Sequence, residues 1–220
     1  MPEHDAPSDP QTRTFPESVV GWIADGAIDA RLAAVVWLLA QGGVPLVVAD
    51  RDALAGRALA DALDVFGRPP VLLSAFPRSI GADSLEEVQA RLADAPYTLT
   101  EDAIRSVGVV VVLDELPDGR RRVRAAHYVR PLEQDPEGHV QRRPPALLAA
   151  WDAERDRLDD YAWGITTELA GRVGREPVAF ERALAERSQL LDDLARKGIV
   201  SSEAVASAIL AASDAPQRTH

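Results

Sequence analysis

The residues whose types and spacing come nearest to chemistry lie between 44 and 63, in VPLVVADRDALAGRALADAL, an apolar strand that breaks into a turn and reopens as a helix. A phosphate-binding loop has this outline. It works through backbone N–H groups freed by glycines and through a lysine ammonium that neutralises the β and γ phosphates. The only lysine of the chain is Lys197, far from this stretch.

Two registers test the loop. Anchored on the strand end, Asp50 and Ala55 take the glycine positions, Gly56 the lysine and Arg57 the hydroxyl. Anchored on Gly56, Arg51 replaces the first glycine, Arg57 the lysine and Ala58 the magnesium-binding serine or threonine. Neither register is complete. Asp50 and Asp52 add negative charge where a triphosphate would sit, and two like charges at ~4 Å repel by about 4 kcal/mol at an intermediate dielectric. Gly56 and Arg57 are therefore candidate nucleotide contacts only if binding persists, and no catalytic or metal-ligating residue is assigned.

A second acidic pair, Asp114-Glu115, ends the apolar run Val109–Leu113, the outline of a magnesium-ordering strand. Pro117-Asp-Gly119 follows at once, so the pair reads as acids flanking a solvated hairpin turn; the competing arrangement has both acids holding Mg²⁺ beside Arg57. Arg120, Arg122, Arg124 and Arg130 alternate onto one face of the return strand, with Arg142 and Arg143 beyond. They read as an exposed face balanced by nearby acids, the alternative being a dock for an acidic surface or anionic headgroups. His127 then points the other way, with Val123 and Val129, as a core histidine. Trp151, Tyr161 and Trp163 are expected to pack across a second hairpin.

The elements that must position these groups follow from periodicity and caps. A helix is expected from Pro16 to Ala24, and another from an Asp29 cap to Gly42. The strand Leu46–Ala49 and the helix Gly56–Phe66 come next, then a short strand Val71–Ala75. Ser84 and Glu87 have capping-box spacing before Leu85, Val88 and Leu92, and Thr100 caps a further turn of helix. The continuous run from Gly108 to Leu116 predicts a central strand, with Arg122–Val129 returning beside it. Ala146–Trp151 and Leu158–Trp163 form the second hairpin. From Ile165 the pattern is helical, with Phe180, Leu184, Leu191 and Leu194 on one face, a stop at Lys197-Gly198 and a cap at Ser201-Ser202.

Taken in order, Leu46-Val-Val-Ala-Asp with its helix, Ile80-Gly-Ala-Asp-Ser-Leu-Glu-Glu-Val, and Val109 through Val123 resemble the traffic ATPases of type II and type IV secretion and type IV pilus assembly, over roughly residues 17–165. The resemblance implies an α/β fold: a P-loop-NTPase-like core with a mixed sheet including C-terminal β-hairpins, followed by a helical tail. The second stretch is similar to the family's histidine box, but Gly81 stands where the imidazole would be. Residues 67–79 are too few for the family's acidic box and Walker B strand together. The resemblance thus implies a reduced, non-hydrolytic relative, a binding, scaffold or regulatory component, with a divergent NTPase using Arg57 and Asp114 or Glu115 as the alternative.

Composition sets the remaining bounds. A net charge of −11 argues against a nucleic-acid partner, and the absence of cysteine excludes disulfides and thiolate chemistry and fits a cytoplasmic protein. The longest apolar run, Leu32–Ala40, is shorter than the ~20 residues a bilayer demands, and the N-terminus lacks a signal-peptide pattern. The expected organisation is a disordered 1–14, a domain over 15–165, a helical extension over 166–212 and a disordered 213–220. No cofactor is expected, ATP with Mg²⁺ being the alternative. The expected partner is a protein, a secretion or pilus component if the resemblance extends to pathway, and self-association stays open.

Overall fold

A computed structural model of the chain describes residues 14–67, 76–134 and 138–214. A six-stranded mixed sheet has β1 (Leu46–Ala49), β2 (Ser79–Ile80), β3 (Val109–Glu115), β4 (Arg121–Tyr128), β7 (Ala146–Asp152) and β8 (Arg157–Asp160), in the order β2-β1-β3-β4-β7-β8. The first three are parallel and the last three antiparallel. A separate two-stranded ribbon joins β5 (Glu133–Gln134) to β6 (Val140–Gln141). The predicted strand Val71–Ala75 lies outside the described residues, as do the tails 1–13 and 215–220; β2 at Ser79–Ile80 was not anticipated.

Helices cover both faces of the parallel half. Val48, Val109, Val111 and Leu113 face α1 (Val19–Ala24), α2 (Ala30–Gln41) and α3 (Leu54–Leu63), whereas Val47, Ala49, Val110 and Val112 face α4 (Leu85–Ala93) and α5 (Glu101–Arg105). Strands buried on both faces read as unbroken apolar runs, which is why β3 shows no alternation. α2 is apolar nearly all round because it is enclosed on every side, between the sheet and α7 (Pro177–Arg196). Its Trp37 stacks on Phe66 at 5.1 Å and lies beneath the Arg187 guanidinium at 4.9 Å.

Caps place the helices where the side-chain chemistry asks. Asp29 accepts from Leu32 N, Ser84 from Glu87 N and Thr100 from Ala103 N, each satisfying an N–H the helix leaves open. α6 (Thr166–Arg172), α7 and α8 (Ser202–Asp214) bring Leu169, Phe180, Leu184, Leu191, Leu194, Val205 and Ile209 into the same core as α2. Their return closes the molecule on itself: Ser18 Oγ donates to Val200 O at 2.6 Å and Ser202 Oγ to Glu17 O at 2.8 Å. No helix among the described residues is long and apolar enough to cross a membrane.

A bulge on β4 corrects the expected arginine face. Val112 pairs with Ala125 but Leu113 with Val123, so Arg124 is an extra residue on β4 and the alternation breaks there. Val123, Ala126 and Tyr128 consequently join one core face, and half-buried His127 turns away from Val123 rather than lying beside it. Burial lowers the His127 pKa. Arg122 is buried under Trp151, 4.6 Å from its ring, and pairs with Asp156; Arg120 pairs with Asp118 and Arg130 with Glu168, while Arg124 donates to Asp83 O. These four arginines thus reach four different acceptors, and Arg143 joins Arg130 at Glu168. A second bulge, at Ala126/His127 opposite β7, makes Leu148 the extra residue there. The expected aromatic cluster is likewise absent among the described residues: Trp151 serves Arg122, and Trp163 sits in a 3-10 turn, Ala162–Ile165, beyond the strand.

Candidate functional site

At the C-terminal end of β1 the chain leaves the sheet through Asp50, makes a tight turn and enters α3. Ala53, the residue before the helix, holds φ 62°, a left-handed conformation that non-glycine residues adopt at a cost. The turn points the first N–H groups of α3 back toward the strand end, the place where a phosphate would sit. There Gly56 N donates to Asp50 Oδ2 at 3.2 Å and Leu54 N to Asp52 Oδ1 at 3.1 Å. The helix terminus is therefore supplied with negative charge by its own turn, as its dipole favours.

Gly56 is required by this closeness. A Cβ there would lie 2.9 Å from Asp50 Cβ and 3.5 Å from Val48 O. The glycine lets the Asp50 side chain lie against the helix.

The charge of Asp50 is met from across the sheet. β3 is parallel to β1, and the hairpin after it sets Glu115 opposite Arg121. The Arg121 side chain, 7% exposed, reaches over to Asp50, 1% exposed: Nη1 contacts Asp50 Oδ1 at 2.8 Å, and Nη2 contacts Asp52 Oδ2 at 2.9 Å and Glu115 Oε2 at 2.7 Å. Three carboxyls around one guanidinium leave the cluster short of positive charge. Burial raises the Asp50 pKa, and its hydrogen bond with Asp52 adds to this against the Gly56 N–H and Arg121; the same hydrogen bond is the main cause of a lowered pKa at Asp52.

The residues singled out in the sequence are only partly united here. Gly56 lies within the cluster, but Arg57 is exposed on α3 and has no ion-pair partner among the described residues. Of the pair at the end of β3, Glu115 joins Arg121 and is not simply an acid at a solvated turn; Asp114 Oδ1 accepts from Glu115 N at 3.0 Å. Arg121 itself escaped the sequence reading. The signal lay in the hairpin, since a turn centred on Asp118 sets 121 opposite 115.

The arrangement sets a cost on any triphosphate placed at this turn. Its oxygens would have to displace Asp50 from Gly56 N, leave Arg121 short of its acceptors and approach three carboxyls with no lysine nearby. No group of three or more His, Asp or Glu side chains is arranged to hold a metal ion among the described residues. No family model matches the chain, and no curated protein matches it either.

Proposed function

We propose that the protein is a non-hydrolytic, P-loop-like relative of the secretion and pilus ATPases, acting in the cytoplasm as a binding, scaffold or regulatory component. The observation that carries this reading is the occupation of the α3 terminus by Asp50, held from behind by buried Arg121. An internal carboxylate takes the N–H that a nucleotide would need, and a guanidinium ties that carboxylate to two more acids. The strand-turn-helix outline is kept while its charge is reversed, which suits a framework for partners better than phosphoryl transfer.

Calorimetric titration of the full chain with ATP and ADP, with and without Mg²⁺, tests it. The expected result is no heat of specific binding. The second reading, a divergent NTPase, draws on exposed Arg57 and on Asp114-Glu115 lying at the same end of the parallel strands as Asp50. It requires magnesium-dependent binding that Arg57→Ala abolishes, and that result would overturn the first.

A further inference from the structure

The far end of β4, about 24 Å along the strand from Arg121, opens onto a groove of about 910 Å³ bounded by Tyr128, the 3-10 turn, α6 and the first turn of α7. Two large apolar side chains on it face water: Trp163 and Val178 are each 70% exposed. Exposed tryptophan beside arginine is the composition of binding hot spots, in which a flat apolar ring anchors and guanidinium groups orient.

The groove also has a charge preference. Its lining carries Arg130, Arg143 and Arg172 against Glu168 and Glu181, a local positive excess on a chain of net charge −11. The floor already shows what those arginines donate to. Arg130 Nε meets both Glu168 oxygens, at 2.8 and 3.0 Å, with Arg143 Nη1 3.6 Å from Oε2. Arg172, exposed one turn along α6 from Glu168, has no ion-pair partner among the described residues.

A third observation is independent of charge. Gly171 is the next-to-last residue of α6, with helical backbone and nothing within 4 Å of where its Cβ would be. Neither a left-handed conformation nor an internal neighbour calls for glycine, and glycine within a helix is less favourable than alanine. Gly164, beside Trp163, is equally open. Both line the groove, where a missing Cβ lets another backbone approach closely.

We infer that this groove is a docking site for a peptide segment of a partner protein that combines aspartate or glutamate with a large apolar residue. The apolar residue covers Trp163 and Val178, a carboxylate pairs with Arg172, and the peptide backbone passes over Gly171. This surface is separate from the Asp50–Arg121 cluster, so its test is independent of nucleotide binding.

Selection of a random-peptide display library on the immobilised full chain, followed by fluorescence polarisation of recovered peptides, decides the matter. Recovered sequences should pair acidic with aromatic or leucine residues. Trp163→Ala and Arg172→Glu should each weaken their binding by about tenfold or more. Gly171→Ala, at the next-to-last position of α6, should leave Tm unchanged or raise it slightly, while weakening the peptide. That opposition separates a binding role from a structural one. Recovery of no peptide, recovery of basic peptides, or smaller losses in Trp163→Ala and Arg172→Glu would overturn the proposal.

Discussion

Asp50 at the end of β1 and Arg121 at the start of β4 meet at 2.8 Å across the intervening β3, both side chains almost wholly withdrawn from water. A buried carboxylate of this kind is tolerated only while its counter-ion stays, because the desolvation cost of an isolated charge exceeds what the rest of the turn returns. Arg121→Met should therefore destabilise the fold by about 3–5 kcal/mol. Asp50→Asn in the same chain should recover part of that loss. Urea midpoints of the wild type, both single variants and the double variant measure the coupling, and a loss below about 1 kcal/mol for Arg121→Met would mean the pair behaves as a surface bridge.

Gly56→Ala adds a methyl group that would stand 2.9 Å from Asp50 Cβ. Helix propensity favours alanine by about 1 kcal/mol, but Asp50 is pinned by Arg121 and cannot retreat. The net effect expected is a loss of about 1–3 kcal/mol, typical of overpacking. In an Arg121→Met background the added penalty should shrink, since Asp50 is then free to move. Thermal or chemical unfolding of the four proteins checks this.

Ala53, at φ 62°, holds a conformation that disfavours a Cβ by about 1–2 kcal/mol, while glycine loses roughly 0.5–1 kcal/mol more backbone entropy on folding. Ala53→Gly should accordingly leave stability unchanged or raise it by up to about 1.5 kcal/mol. Ala53→Val, branched at the atom in conflict, should lower it. A higher midpoint for valine than for alanine would contradict the left-handed assignment.

Asp29 caps α2 through Leu32 N, yet burial raises its pKa above the ordinary 3.8, with nearby Asp160 adding to the rise. A folded state that holds the proton more tightly than the unfolded chain gains stability as pH falls through the raised value, and carries a penalty above it. An asparagine in its place would keep the cap without the charge. Asp29→Asn should therefore be most favourable relative to wild type near pH 7, and that advantage should fade as pH falls toward about 4. Stability measured across this range at constant ionic strength gives the sign.

Local signals in the chain carried most of the architecture. The caps at Asp29, Ser84 and Thr100, the stop at Gly42 and the strand Leu46–Ala49 all act over a few neighbouring residues, so spacing revealed them. The faces of β4 were not legible. A single bulge at Arg124 transfers every later side chain to the opposite side, and nothing in the residue types around it announces the extra position. Arg121 was obscured for a different reason: its partners Asp50 and Asp52 are about seventy residues away and meet it only because β3 lies between β1 and β4. The family likeness drawn from residues 46–123 concerns outline, whereas the chemistry at the turn depends on those distant pairings.

The hydrogen bonds from Ser18 to Val200 and from Ser202 to Glu17 fasten the first helix to the segment leading into the last. Fraying at one extremity must then be felt at the other. A protease nick between α7 and α8 would cut the chain beside the acceptor and the donor that hold Ser18 and Glu17, about 180 positions upstream.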